Sequence, residues 1–196
     1  MTPIPMRMLQ LKVTLQEIKP PIWRRLAVPS SCTLADLHLI LQIAFGWLDY
    51  HLHSFTIGKV DYGPHDPEGW TETASERITL GKLGLSRKQK FSYEYDFGDS
   101  WVHLILVEDT SELNGPPASP TCLAGKRARP PEDCGGPWQY PELLKALANP
   151  GHPEHDESLE WVGGSWDPEA FDLDAVNQAL TAAFAKRKAW KTVKSQ

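Results

Sequence analysis

The segment 91–108 constrains the fold more than any other part of the chain, because it predicts two neighbouring strands of an antiparallel sheet. In its first half, aromatic residues occupy every second position from 91 to 97, which is the period of a strand with one buried face. Its second half, 101–107, is apolar on both faces apart from His103, as in an interior strand. Gly98-Asp99 lies between the halves and favours a two-residue hairpin loop.

A two-residue loop would also fix the register of this hairpin. Asp96 would face Trp101 and Glu94 would face His103, and directly opposed residues share a face with Cβ atoms about 5 Å apart. We therefore expect these four side chains to form one outward patch, with the tyrosines packed beneath. A three-residue loop would instead turn His103 into the core. An ordinary cross-strand pair of Glu94 and His103, with no further role, is the alternative interpretation of the patch.

The rest of the pattern predicts an α+β fold with an antiparallel sheet. Alternating apolar residues at 9–15 and at 22–28 predict a first hairpin, since a short connection cannot join parallel strands. A buried helix over 34–45 should follow, with Thr33 and Asp36 as a capping box and Gly46 ending it. Residues 51–57 predict a third strand, and this order is compatible with a β-grasp-like core.

The C-terminal part predicts a helical region that begins with Pro141 at a first helical position. Between the hairpin and these helices, residues 114–137 hold six prolines and four glycines without periodicity, which indicates a long irregular loop. The length of 196 residues predicts one domain. Its expected parts are a sheet-rich core (7–109), the irregular loop (114–137) and the helical region (138–190).

Composition narrows the classes of function. The formal net charge of −5 argues against nonspecific binding of duplex DNA, which requires a basic surface. The first ten residues contain no apolar leader, and no run approaches the ~18 apolar residues of a membrane span. The three cysteines form an odd set that a reducing compartment would keep as thiols. We expect a cytoplasmic protein that does not enter a membrane.

Histidines and carboxylates make the first candidate site, a divalent metal centre. His51 and His53 point the same way on a strand, and Glu94 or Asp96 with His103 would complete the ligands. Surface or core histidines are the alternative interpretation. A thiolate zinc site from Cys122 and Cys134 with downstream histidines is a weaker hypothesis, because the cysteines lack the close spacing of zinc motifs.

No nucleophile elbow, Walker loop or dinucleotide fingerprint occurs in the sequence. The polar residues of the central hairpin and the long loop are therefore interpreted first as a binding surface. Its predicted members are Glu94, Asp96, Asp99, Trp101, His103, Glu132, Asp133 and Gly135.

Several strings resemble one known family. IKPPIWRRLAVP, LADLHLILQIAFGWLDYHLHSF, YEYDFGDSWVHLI and CLAGKRARPPEDCGGPWQYPELL are similar to the plasmid pRi-type open-reading-frame family, whose members include insertion-element passenger proteins labelled TnpR-like. The resemblance implies an α+β fold with flanking helices and brings no catalytic residues with it. A TnpR label suggests a site-specific recombinase, but the sequence has no helix-turn-helix pattern and no serine set among catalytic arginines.

We therefore expect a non-enzymatic binding or accessory protein associated with mobile genetic elements, with an unidentified protein or nucleic acid as its partner. The alternative is a metal-dependent hydrolase, on a phosphodiester for example, in which a histidine–carboxylate site activates water.

Overall fold

The structure is a computed structural model, which describes residues 7–64, 73–74, 78–112 and 119–193. Its strands are β1 (Arg7–Leu15), β2 (Trp23–Pro29), β3 (His53–Ile57), β4 (Val60–Gly63), β5 (Thr73–Ala74), β6 (Lys90–Tyr95), β7 (Trp101–Glu112) and β8 (Thr121–Lys126). The helices are α1 (Leu34–Phe45), α2 (Gly136–Ala148), α3 (His155–Trp161) and α4 (Leu173–Val193).

In the described part of the chain the strands form one sheet in the order β5-β4-β3-β6-β7-β1-β2-β8. Seven strands pair antiparallel with their neighbours, and the short β5 adds to β4 in parallel. This confirms the α+β class with an antiparallel sheet, a helix after the first hairpin and a helical C-terminal region. The β-grasp comparison is not confirmed.

The first hairpin and α1 match the sequence pattern closely. On β1, Leu9, Leu11, Val13 and Leu15 are buried and alternate with partly exposed polar residues. Helix α1 begins after Thr33, and both hydrogen bonds of the predicted capping box are present. Gly46 follows the helix with a φ of 88°, the left-handed conformation that ends many helices. The helix packs on the buried face of the sheet.

The predicted register of the central hairpin is wrong. Tyr95 lies opposite Trp101 and Tyr93 opposite His103, so that residues 96–100 form a five-residue turn. This shift of one position moves His103 from the outer face to the inner face, among the tyrosines. Asp96 and Ser100, at the two ends of the turn, have φ values of 59° and 54°. These left-handed conformations widen the turn beyond the two-residue loop that Gly98-Asp99 suggested.

Two predictions about the later chain are also corrected. The stretch 114–137 is not wholly irregular, because β8 (Thr121–Lys126) pairs with β2 inside it, while residues 113–118 lie outside the described part. Helix α2 begins at Gly136, five residues before Pro141, which lies inside the helix instead of at its start. Pro137 is the proline of its first turn.

The outer side of β8 is covered by a side chain of α4. The amide of Asn177 accepts a hydrogen bond from the backbone N–H of Cys122 (2.8 Å) and donates one to the carbonyl of the same residue (3.0 Å). A single side chain thus makes the pair of bonds that a further strand would make.

None of the helices in the described ranges is both long and apolar enough to cross a membrane.

Candidate functional site

Three segments meet beside the turn of the central hairpin: the loop 46–52 after α1, the turn 96–100, and the segment 130–136, which leads into α2 and includes its first residue. The backbone N–H of Leu48 donates to the carboxylate of Glu132 (2.8 Å), and that of Asp96 donates to the carbonyl of Leu52 (2.9 Å). The N–H of Gly135 donates to the carboxylate of Asp99 (3.1 Å). These bonds join all three segments.

Their meeting point holds one imidazole and three carboxylates. Nε2 of His51 lies 3.2 Å from Oδ1 of Asp133, 3.7 Å from Oδ2 of Asp96 and 3.9 Å from Oε2 of Glu132. The ligand atoms of His51, Asp96 and Asp133 lie within 4.8 Å of one another, which makes this the group in the described chain that could hold a metal ion. We call these four residues the histidine–acid cluster.

Two atoms of the cluster are buried without a hydrogen-bond partner in the described structure. They are Nε2 of His51 and Oε2 of Glu132, which face each other. The Glu132 side chain is only 8% exposed, whereas that of Asp133 is 69% exposed. The cluster therefore has a buried inner end and an outer end that opens to solvent.

The second oxygen of two carboxylates is held by the backbone. Oδ1 of Asp96 accepts from the N–H of Gly98 (2.9 Å), and Oε1 of Glu132 accepts from the N–H of Leu48. In each case the other oxygen faces His51. The phenol of Tyr95 accepts from the N–H of Tyr50 (3.0 Å) and lies 3.4 Å from Oε1 of Glu132. Burial raises the pKa of Tyr95 to about 12, and the charge of Glu132 adds to the rise.

A buried network under the loop 46–52 holds it in place. The amide of Gln42 donates to the hydroxyl of Tyr93 (2.9 Å) and accepts from the N–H of Asp49 (2.9 Å). His38 lies between the same two residues, 2.8 Å from the Tyr93 hydroxyl and 2.9 Å from the Asp49 carboxylate. Burial lowers the pKa of His38 and raises that of Tyr93. The loop that carries His51 is thus fixed from α1.

Segment 130–136 lies tightly against the hairpin turn. Gly136 has a φ of 73°, and a Cβ atom there would lie 2.4 Å from the backbone carbonyl oxygen of Asp99. Only glycine allows this approach without a shift of one segment. Asp133 also has a positive φ, 56°, a conformation that Asp tolerates better than most residues. The PPEDCGG string therefore has the composition needed to bring its acids to the turn.

The structure divides the predicted binding residues into accessible and buried ones. Trp101 and His103 are fully buried, so they cannot form the outward patch that the two-residue loop would give. Glu94 lies opposite Val102 on the other face of the sheet and accepts from the Ser100 hydroxyl (2.8 Å). Asp96, Asp99, Glu132, Asp133 and Gly135 do come together at the turn.

The predicted metal set of His51, His53, Glu94 and His103 is not assembled. His53 is buried and its ring stacks on His38 with centroids 3.6 Å apart. Burial, with a contribution from His38, lowers the pKa of His53 to about 3. His103 lies in the core, and Glu94 faces away from it. Of the four, only His51 belongs to the histidine–acid cluster. Asp96, the predicted alternative to Glu94, is also a member, and the acids of segment 130–136 take the place of the others.

The thiolate hypothesis also lacks its geometry. The three cysteines of the sequence are buried in the described structure, and none of them forms a disulfide there. Cys122 lies on β8 and Cys134 in the segment before α2, and neither joins a group of potential metal ligands in the described residues. Burial raises the pKa of both thiols, that of Cys134 to about 12.

Four exposed apolar residues were missed in the sequence, on the two loops that carry His51 and Asp96. Leu48, Tyr50, Leu52 and Phe97 are 49%, 74%, 63% and 50% exposed. Three of them alternate along the loop 46–52 with Asp49 and His51, whose side chains contact His38 and the acids of the cluster. The signal was present as large apolar residues in a short segment between predicted elements, a place where polar residues are usual.

Comparison with known proteins agrees with this architecture. The family described as plasmid pRiA4b ORF-3-like protein matches residues 7–175. The chain is similar to "uncharacterized protein y4hQ" of Sinorhizobium fredii, with 39% identity over 93% of this chain and 97% of that protein. It is also similar to the crystal structure of "protein of unknown function MM3350" from Methanosarcina mazei Go1, at 35% identity and a TM-score of 0.75. That match covers 86% of this chain and 97% of the other. The chain described here therefore belongs to the plasmid pRiA4b ORF-3-like family.

Proposed function

We propose that the protein is an accessory protein of mobile genetic elements that binds a protein partner through the surface beside the hairpin turn. The observation that carries this proposal is the exposure of four large apolar side chains, Leu48, Tyr50, Leu52 and Phe97, on two connected loops. Exposed apolar patches with a polar rim are typical of protein interaction sites. The plasmid named in the family's description supports the association with mobile elements.

The charges around the patch indicate the chemistry of the partner. Asp49 and Asp133 are 58% and 69% exposed at its border, and the net charge of the chain is −5. An acidic rim attracts Lys and Arg and repels phosphates. The favoured partner is therefore a protein segment with both apolar and basic side chains, and nucleic acid is disfavoured.

Peptide binding tests the proposal. Two labelled peptides of equal length are compared by fluorescence anisotropy in the presence of EDTA, one alternating Leu with Lys and the other Leu with Glu. We expect the basic peptide alone to bind. Tyr50→Ser and Phe97→Ser should each weaken it by about 30-fold, because loss of a central contact costs about 2 kcal/mol.

Leu123→Ser is the matched control, since Leu123 is an exposed apolar residue on β8, outside this surface. Equal binding of the two peptides would contradict the proposal. So would an equal effect of Leu123→Ser and Tyr50→Ser.

A metal-dependent hydrolase is the second candidate, and the histidine–acid cluster is the observation that favours it. Asp133 leaves the outer end of the cluster open to solvent, where a substrate could approach. Hydrolysis of a model phosphodiester in the presence of Mn²⁺ or Zn²⁺ tests this candidate. Activity should disappear in Asp96→Asn, whereas activity that survives this substitution would reject the cluster as its source.

A further inference from the structure

We infer that His51, Asp96, Glu132 and Asp133 form a binding site for one divalent transition-metal ion. This set retains His51 and Asp96 from the metal centre that the sequence predicted. It replaces the residues on β3, β6 and β7 with Glu132 and Asp133 of segment 130–136. The inference concerns the ion alone and does not depend on the proposed protein partner.

The ligand atoms of the cluster lie close enough together for one ion. One imidazole nitrogen and two carboxylate oxygens lie within 4.8 Å of one another, and a third carboxylate oxygen lies 3.9 Å from the nitrogen. Bonds to Zn²⁺ are about 2.0–2.2 Å long. Coordination by His51, Asp96 and Asp133 therefore needs shifts of about 1 Å, and the exposed Asp133 carboxylate has the space to move. The Glu132 oxygen lies outside this group of three and would join the ion as a fourth ligand after a further shift.

Independently of this spacing, two buried atoms of the cluster have no hydrogen-bond partner in the described structure. Oε2 of Glu132 belongs to a side chain more than nine-tenths buried, and it is aimed at Nε2 of His51. A buried carboxylate oxygen without a partner is costly unless it is paired or coordinates a metal. A cation at this point satisfies both atoms at once.

Backbone hydrogen bonds already orient two of the carboxylate ligands without a bound ion. The backbone N–H groups of Gly98 and Leu48 donate to Oδ1 of Asp96 and Oε1 of Glu132. The second oxygen of each carboxylate is left facing His51. Hydrogen bonds to the second atom of a ligand are the usual way in which proteins orient metal ligands.

The donor set indicates the class of ion. Imidazole nitrogen suits Zn²⁺ and Fe²⁺, and carboxylate oxygen suits Mn²⁺, whereas Mg²⁺ demands near-ideal octahedral geometry and keeps several of its waters. Three carboxylates add the negative charge that compensates a divalent ion. We therefore expect Zn²⁺ and Mn²⁺ to bind more tightly than Mg²⁺. The bound ion would join the loop 46–52, the hairpin turn and segment 130–136 at a single point.

Titration of untagged, chelator-stripped full-length protein tests the inference. Isothermal calorimetry with ZnCl₂ or MnCl₂ should give one equivalent bound, together with a higher melting temperature of the loaded protein. Asp133→Asn and Asp96→Asn should each weaken binding by ~10-fold or more, since even changes outside the ligand set cost at least this much. Asn keeps the hydrogen bond from Gly98 and tolerates the positive φ of both positions.

Glu94→Gln is the matched control. It removes a carboxylate of the same hairpin, but from the opposite face, so it should leave metal affinity unchanged. The inference is overturned if the wild-type protein binds neither ion. It is equally overturned if Asp133→Asn, at an exposed position where folding is not at risk, binds as tightly as Glu94→Gln. Neither result bears on the proposed protein partner, because peptide binding is measured in EDTA and therefore without a bound ion.

Discussion

The indole Nε1–H of Trp47 donates a hydrogen bond to Nε2 of His103 (3.2 Å), and both side chains are buried. Nδ1 of the same imidazole lies 2.9 Å from the carbonyl oxygen of Trp101, which can only accept. One ring nitrogen therefore accepts and the other donates, which defines a neutral imidazole with its proton on Nδ1. The ring also meets the edge of Phe45, with centroids 4.8 Å apart. This contact joins the end of α1 to the centre of the sheet.

The neutral state of His103 predicts a loss of stability in acid. Burial lowers its pKa to about 4, and the charge of Arg24 acts in the same direction. The unfolded chain has the ordinary histidine pKa of about 6.5 and so binds more protons between pH 6.5 and 4. Above pH 6.5, His103 makes its full contribution to the free energy of unfolding. That contribution should fall by about 2–3 kcal/mol as the pH drops towards 4, at ~1.4 kcal/mol per pKa unit.

Urea unfolding at pH 7.5 and pH 4.5 measures this effect. His103→Gln should lower stability at pH 7.5 and show a smaller loss between the two pH values than the wild-type protein. His152→Gln, at a partly exposed site, serves as control and should keep the wild-type pH dependence. Identical pH dependence of His103→Gln and the wild-type protein would contradict the prediction.

Replacement of Arg24 should strongly destabilise the protein, because Arg24 is a buried cation that has no acidic partner in the described hydrogen bonds. Its guanidinium donates to the backbone carbonyls of Ala44 (2.6 Å), Trp23, Lys126 and Arg127, and it is 2% exposed. Burial lowers its pKa to about 10, so it remains charged at neutral pH. Arg24→Met should cost roughly 3 kcal/mol or more, because several buried acceptors lose their donor.

Arg25→Met is the natural comparison, because Arg25 is the next residue and binds Glu108 at the partly exposed surface. We expect a loss of about 1 kcal/mol or less for that variant. Thermal or urea unfolding of both variants gives the measurement. Similar losses for the two arginines would show that the carbonyl contacts of Arg24 stabilise little.

Because Gly136 lies so close to Asp99, we expect that one added methyl group would force segment 130–136 and the hairpin turn apart. Gly136→Ala adds a Cβ that would lie 2.4 Å from the Asp99 carbonyl oxygen, while Gly163→Ala, also at positive φ, meets nothing within 4 Å. Both variants lose about 1–2 kcal/mol to backbone strain. Gly136→Ala should lose a further 1–3 kcal/mol from the forced displacement. Unfolding curves that coincide for the two alanine variants would contradict this contact.

The burial of all three cysteines predicts slow thiol chemistry. Cys32, Cys122 and Cys134 are at most 9% exposed, and burial raises the pKa of Cys122. Reactivity requires an accessible thiolate. We expect Ellman's reagent to modify the native protein slowly and to titrate three thiols at once after unfolding in guanidinium. Rapid modification of the native protein would show that one of the cysteines reaches solvent.

The sequence predicts a segment correctly where its pattern is compatible with only one structure. Helix α1 has a capping box, a wide apolar stripe and a terminal glycine, and all three define the same bounds. On β7 the pattern has two solutions, because residues 101–107 are apolar on both faces and cannot select a register. His103 then appeared to decide in favour of the outer face. The structure shows that a histidine with both nitrogens paired can be buried among aromatic rings.

Parts of the site were predictable, but not the whole assembly. The sequence predicts His51 with Asp96 as metal ligands, and Asp96, Glu132 and Asp133 as members of one binding surface, but no pattern in it joins His51 to Glu132 and Asp133. Their meeting depends on positive φ angles at Asp96 and Asp133 and on the contact at Gly136, none of which leaves a periodic signal. Strand β8 was missed for a related reason, since TCLAGK is short and its pairing with β2 contains an irregularity.

The amide of Asn177, which binds both backbone groups of Cys122, has a consequence for how copies of this protein meet. A free outermost strand is a template on which a second polypeptide can extend a sheet into aggregates. On β8, the side chain of Asn177 already binds the backbone of Cys122 at the middle of the strand, so high protein concentration should not readily drive polymerisation through β8. Replacement of Asn177 by Leu would remove these two hydrogen bonds and leave the edge of β8 open to a second chain.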